Sequence, residues 1–248
     1  MSELHALILA AGKGTRMKSD LPKVVHTILG RPMVSYVIDA VKAIGCDKTI
    51  LVTGYKSEVV KEATKNEDVA YVEQLPEQLG TGHAVQCYAK SVTEKPESLL
   101  VVCGDTPLIS RATLREMLAV HESKKPAITM MTLKMQDPGS SGRVLRDKNG
   151  DICAIREAKD CSEEELKVNE INLAIYLFDC DFLFNNIFKL TPNNKQKEYY
   201  LTDLVEMAVK QNLKVISVVE KDESSTLGIN TPEHLAMVAE ILKKKDMM

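Results

Sequence analysis

The chain has 248 residues, 44% of them hydrophobic and 27% charged, enough apolar side chains for a core without disulfide staples and too many for a disordered chain. Thirty-two Lys and Arg against 35 Asp and Glu leave a net charge of −3, which excludes the overall basic footprint of a nucleic-acid binder. No apolar run approaches the ~18 residues of a membrane span. The start Met1-Ser2-Glu3-Leu4 lacks the basic and apolar regions of a signal peptide. Six cysteines without a C-x-x-C pair and five scattered histidines read as reduced thiols of a cytoplasmic protein, with no zinc site.

Strands and helices alternate through the first half. Leu4 to Ala10 is a short apolar run suited to a buried parallel strand. Met33, Val34, Val37, Ile38 and Val41 form a helical stripe, with Pro32 suited to its first turn. Thr49 to Thr53 reads as a second strand, followed by a helix that Ser57 can cap. Leu99 to Cys103 is a third buried strand, and Ser110 precedes a helix with Leu114, Met117, Leu118 and His121 on one face.

The second half changes character. Ala127 to Met135 is β-prone, and Asp147-Lys148-Asn149-Gly150 is a hairpin signal between Arg143–Leu145 and Ile152–Ile155. Ser162-x-x-Glu165 is a capping box. Ile171 to Phe178 is a long strand, Leu201, Leu204, Val205 and Ala208 stripe a helix, and Leu213 to Val219 returns to strand. Thr231-Pro232 opens a last helix carrying Leu235, Val238 and Ile241 or Leu242 inward. No Pro/Gly/Ser-rich linker divides the chain. The pattern implies a single α/β domain over 1–248, a Rossmann-like, mixed and mostly parallel sheet with helices on both faces. The hairpin region at about 126–212 is expected to form a small second lobe.

Chemistry concentrates where strands end. Leu9-Ala10-Ala11-Gly12-Lys13-Gly14-Thr15-Arg16-Met17 follows the first strand, and two glycines there let backbone N–H groups approach a phosphate. A dinucleotide fingerprint fails because Met17 stands where the third glycine belongs, and a P-loop fails because Lys13 lies between the glycines. Gly104-Asp105 follows the third strand, so Asp105 is expected at the carboxyl edge, where ligands collect. It suits either a turn before Pro107 or Mg²⁺, which takes oxygen ligands and keeps phosphate oxygens and waters as the others.

This string, with Leu21-Pro22-Lys23, resembles the L-x-x-G-x-G-T-R-M…P-K signature of sugar-nucleotide pyrophosphorylases. Pro76-Glu77-Gln78-Leu79-Gly80-Thr81-Gly82-His83-Ala84 resembles, within that group, the uridylyltransferase domain of the GlmU family. Cys103-Gly104-Asp105-Thr106-Pro107-Leu108, Glu170-Ile171-Asn172, Glu198-Tyr199-Tyr200-Leu201-Thr202-Asp203 and Gly228-Ile229-Asn230 follow in order. The likeness spans residues 4 to about 235.

The resemblance implies the reaction of UTP with N-acetylglucosamine 1-phosphate. Arg16 and Lys23 would be catalytic, and Asp105 and Asn230 would hold Mg²⁺. Leu9, Ala11, Gly12, Gly14, Gln74, Gly80, Thr81 and Gly104 would bind the nucleotide. Gly142, Glu157, Asn172, Tyr200 and Thr202 would bind the sugar. The nucleotide side would comprise mainly 1–110 and 213–235, and the sugar side 111–212. Substrates would be small molecules, with no nucleic acid or membrane partner.

Two stretches depart from the family pattern. Gly139-Ser140-Ser141-Gly142-Arg143 stands where T-G-Y-G-R is usual, and Asn172-Leu173-Ala174 where N-T-G is usual. Another sugar phosphate or base, or a nucleotide-sugar sensor without turnover, are the rival readings. The hexapeptide repeats that carry acetyltransferase activity in bifunctional relatives are absent from the 248 residues.

Overall fold

The computed structural model describes residues 3–76 and 78–246. In chain order the strands are β1 (Leu4–Leu9), β2 (Thr27–Ile28), β3 (Arg31–Pro32), β4 (Lys48–Thr53), β5 (Ala70–Glu73), β6 (Ser98–Cys103), β7 (Ile128–Lys134), β8 (Arg143–Arg146), β9 (Ile152–Arg156), β10 (Glu170–Asp179) and β11 (Val215–Val219). The helices are α1 (Met33–Lys42), α2 (Ser57–Ala63), α3 (Thr81–Ser91), α4 (Arg111–Lys124), α5 (Glu163–Leu166), α6 (Cys180–Asn186), α7 (Asp203–Lys210) and α8 (Pro232–Asp246).

Nine strands form one sheet: seven run in the order β11-β7-β10-β6-β1-β4-β5, β8 pairs with β10 off this path, and β9 pairs with β8. Strands β6, β1, β4 and β5 are parallel neighbours, as are β11 and β7, while β10 runs antiparallel to both of its sheet neighbours. The sheet is therefore mixed and mostly parallel, as the alternation of elements implies. β7 and β10, from the region read as a second lobe, lie within this sheet; the β8–β9 hairpin branches from it.

Alternation along each strand divides the core in two. Ala6, Ile8, Leu51, Leu100, Val102 and Leu177 face a cluster with Val37 and Ile38 of α1, Leu114 of α4 and Val238 of α8. Leu7, Ile50, Val52, Leu99, Val101 and Phe178 face a second cluster with Val85 and Tyr88 of α3 and Leu204 and Val205 of α7. Both faces are covered by helices, which is why the strands read as unbroken apolar runs. Burying one such Leu or Ile side chain stabilises the fold by about 1.5–3 kcal/mol.

The expected caps at Ser110 and Ser162 form: Ser110 Oγ accepts from Thr113 N, and Ser162 with Glu165 makes the reciprocal box. Two local expectations need correction. Ser57 is the first residue of α2, preceded by Lys56 at φ +47, and its hydroxyl is drawn away to donate to Glu73 Oε1 at 2.9 Å. Pro32 is extended at φ −53, ψ 138 and belongs to the β2–β3 hairpin, so α1 begins one residue later.

Candidate active site

Because β1, β4, β5 and β6 are parallel, their carboxyl ends open on one edge, and the segments that follow them meet there. Antiparallel β10 brings its first residues, Glu170 to Asn172, to the same edge. Gly104 N donates to Leu9 O at 2.9 Å and Tyr55 N to Ala11 O at 3.1 Å, tying the ends of β6 and β4 to the glycine loop. Ile229 N donates to Asp105 O at 2.9 Å, which returns Asn230 to the edge.

The glycine loop is shaped by close approach. Gly14 has φ +67, and a Cβ there would lie 2.6 Å from Lys23 Cβ; the left-handed backbone and the contact together demand glycine. Thr15–Met17 then form a single 3₁₀ turn that carries Arg16, and Lys23–Val25 form another that carries Lys23. The side of Gly12 is open, with nothing within 4 Å.

Four predicted residues converge. Lys23 Nζ pairs with Asp105 Oδ2 and donates to Asn230 Oδ1 at 2.6 Å. Arg16 Nη2 donates to the same Asn230 Oδ1 at 2.9 Å. The Lys23 and Asp105 side chains are 14% and 22% exposed, so the pair is largely shielded yet open at one side. Two hard oxygens thus already face one positive centre, the donor set a divalent cation uses. Among the described residues, no group of three or more His, Cys, Asp or Glu forms a metal cage; phosphate oxygens and water would have to complete the coordination.

The residues expected to take the base form a second cluster. Gly80, at φ +100, precedes α3, and a Cβ there would lie 2.8 Å from Tyr199 O. The loop is laced to the segment that carries Tyr200 and Thr202. Tyr199 N donates to Leu79 O at 2.8 Å, Gly82 N to Tyr199 O at 2.8 Å, and Leu201 N to Thr81 Oγ1 at 3.3 Å. Gln74, 4% exposed, follows β5 and donates through Nε2 to Gly80 O at 2.9 Å, so it joins this loop.

The residues expected to take the sugar line a third wall. Thr202 Oγ1 donates to Glu157 Oε1 at 3.3 Å, and Tyr200 Oη donates to Asp160 Oδ2 at 3.1 Å. A Cβ on Gly142 would lie 3.5 Å from Glu157 Oε2, so the β8–β9 hairpin brings these two together. Burial raises the Glu157 carboxyl above its ordinary value, against the Thr202 hydrogen bond, with Asp160, Asp203 and Glu198 adding repulsion. Burial likewise pushes the Tyr200 hydroxyl up to about 12.

Asn172 N donates to Gly142 O at 2.9 Å and Asn172 Oδ1 accepts from Ala174 N at 3.1 Å. This Asx turn coincides with a register shift in the β10–β7 ladder, and Ala174 sits at φ +56. The departure from glycine therefore falls on a left-handed residue. The other departure, Gly139 to Ser141, is held by the buried Arg143 guanidinium, which donates to Gly139 O at 3.0 Å and to Ser141 O. Two contributors, Tyr199 and His83, are not singled out by sequence reasoning: Tyr199 acts through its backbone, and His83 lies inside a motif whose signal is its glycines.

Comparison with known proteins agrees with this architecture. Residues 6–149 match the MobA-like NTP transferase domain family. The chain is 44% identical over 246 residues to the bifunctional protein GlmU of Pelobacter propionicus, covering 99% of this chain and 53% of that protein. It is 45% identical over 240 residues to the GlmU of Clostridium botulinum, covering 97% and 52%. The chain thus spans about half the length of these curated relatives. Among solved structures, a UDP-glucose pyrophosphorylase complexed with UDP-glucose superposes with a TM-score of 0.78 at 20% identity, covering 99% of this chain and 100% of that one. A nucleotidyl transferase from Methanothermobacter thermautotroptrophicus gives 0.66 at 17%, covering 98% and 99%. Both share the fold. Fold, glycine-loop motif and sequence identity agree: the chain belongs to the MobA-like NTP transferase domain family, as a nucleotidyltransferase-type relative of GlmU.

Proposed function

We propose that this chain transfers a uridylyl group from UTP to N-acetylglucosamine 1-phosphate, yielding UDP-N-acetylglucosamine and pyrophosphate. The observation that carries this reading is the convergence of Lys23, Arg16, Asp105 and Asn230 beside an open glycine loop. A sensor that only bound nucleotide sugar would not need all four. A sugar-phosphate oxygen attacks the α-phosphorus of UTP while the bond to the bridging oxygen of pyrophosphate breaks. No covalent enzyme intermediate is needed, so the protein contributes positioning and charge stabilisation.

In this reading Lys23 meets the α-phosphate and Arg16 the departing pyrophosphate, the latter through the planar fork that suits two oxygens at once. Backbone N–H groups of Gly12 and Gly14 face the phosphates; Leu9, Ala11 and Gly104 hold the strand ends that set the loop. Gln74, Gly80 and Thr81 take the base. Gly142, Glu157, Asn172, Tyr200 and Thr202 take the sugar. Asp105 and Asn230 would hold Mg²⁺, which supplies charge neutralisation of the reacting phosphates when bound. Lys23 would then turn from Asp105 to substrate.

The nucleotide side is drawn from 1–110 and 213–235 and the sugar side from 111–212. No helix among the described residues is long and apolar enough to cross a membrane. In the proposed reading the substrates are small molecules in the cytoplasm. A second sugar is favoured by one observation: Ala174 and Ser140-Ser141 alter the wall beside Asn172 and Gly142. Pyrophosphate release from UTP with N-acetylglucosamine 1-phosphate, compared with glucose 1-phosphate and with other nucleotides, tests the reading. Mg²⁺-dependent release with UTP supports it; tight binding of the nucleotide sugar without turnover favours the sensor.

A further inference from the structure

His83 lies in the first turn of α3, 8% exposed, and its ring is turned toward Gln74. Gln74 Nε2 has two N–H groups and both are used. One donates to Gly80 O at 2.9 Å, and the other faces His83 Nδ1 at 3.1 Å. A backbone carbonyl only accepts, so the amide nitrogen must face Gly80; the reversed amide would set two acceptors against each other. The second N–H then requires an acceptor at His83 Nδ1. The ring tautomer that offers this acceptor carries its proton on Nε2, where Cys87 Sγ lies at 3.7 Å, a weak acceptor. None of the hydrogen bonds among the described residues reaches Gln74 Oε1.

We propose that His83 is a positioning residue that selects the nucleobase through Gln74. By accepting one amide N–H it holds the amide so that Oε1, an acceptor only, is the atom offered to the base. A uracil ring presents an N–H at position 3 and satisfies that oxygen. A cytosine ring presents a lone pair there and meets it acceptor to acceptor. Without His83 the amide is held by a single bond and can reverse at lower cost, offering N–H groups to cytosine. This rests on the uridylyl-transfer reading above, and it adds a residue that reaches the base only through another.

The test compares the parent with His83→Leu, which removes the acceptor, and His83→Asn, whose Oδ1 replaces Nδ1 at similar reach. Two readouts are taken with melting temperature as a control for folding: kcat/KM for UTP and CTP with one sugar phosphate, and equilibrium titration with UDP and CDP. One hydrogen bond of this kind corresponds to a change of up to about tenfold. His83→Leu is expected to narrow the uridine-over-cytidine ratio by about tenfold, to raise KM for UTP, and to leave KM for the sugar phosphate unchanged. His83→Asn is expected to restore most of the ratio. A folded His83→Leu protein that keeps the parent's ratio overturns the proposal. So does one that loses affinity for uridine, cytidine and sugar phosphate in equal measure, because that is loosened packing. A parent that prefers UDP to CDP in titration yet releases no pyrophosphate overturns the catalytic reading and leaves His83 to be judged by titration alone.

Discussion

Lys23 Nζ lies 2.6 Å from Asn230 Oδ1, a contact that closes 207 residues of chain. The same ammonium pairs with Asp105, and Arg16 shares the Asn230 oxygen. The strand ends thus hold cations and oxygen donors within one cluster before any substrate arrives, which is the preorganisation that charge stabilisation requires. Each arm of the cluster can be removed separately.

Lys23→Ala is expected to lower kcat by about 10²–10³, the usual cost of one donor in such a site, with a smaller effect on UTP binding, because the charge it meets grows during transfer. Nucleotide titration without sugar phosphate, followed by turnover, measures both. A change confined to UTP affinity would make Lys23 a ground-state anchor.

Arg16→Lys keeps the charge and removes the planar fork. Most activity is expected to disappear, with pyrophosphate inhibition weakened in parallel. Turnover like the parent's would contradict the two-oxygen role.

Glu157 predicts a pH-dependent stability difference. Its folded carboxyl titrates above the ordinary value, chiefly through burial. The protonated form is therefore the better folded form, and ionisation costs stability as pH rises from about the unfolded value through the raised folded one. Glu157→Gln should match the parent's melting temperature below that window and exceed it at pH 7, while KM for the sugar phosphate rises about tenfold for the lost charged acceptor. Thermal melts at pH 4 and 7 read the first effect. Equal differences at both pH values would remove burial as the cause.

Ala174 at φ +56 tests the sugar wall. An Ala in the left-handed region costs roughly 1–2 kcal/mol, and a β-branched side chain is worse still. Ala174→Val should therefore destabilise by more than about 1 kcal/mol in denaturant melts. Ala174→Gly should fold as well as the parent and, if the methyl relaxes sugar choice, sharpen preference for the N-acetyl sugar. Comparable specificity constants for glucose 1-phosphate and its N-acetylamino analogue are expected for the parent; a preference of several thousandfold would contradict this.

Legibility followed locality. β1, β4 and β6 were readable because burial on both faces leaves unbroken apolar runs, and Ser162 because a capping box is complete within four residues. β5 was missed: it is four residues long at the sheet edge and none of it is fully buried. Ser57 carried an N-cap signal, but a carboxylate 16 residues away outbid the helix for its hydroxyl. At the site, glycine motifs marked the loops, yet the bond from Lys23 to Asp105 spans 82 residues and no spacing rule reaches that far. The left-handed Ala174 was invisible because alanine carries no turn signal.

The most direct measurement is Mg²⁺-dependent pyrophosphate release from UTP and N-acetylglucosamine 1-phosphate by the parent and by Asp105→Asn. The substitution keeps an oxygen for Lys23 and removes the charge a cation needs. Release by the parent that rises with Mg²⁺, and falls at least about 100-fold in the variant at an unchanged melting temperature, is the predicted result. Undiminished release by the variant at ordinary Mg²⁺, or none by the parent, would contradict the account.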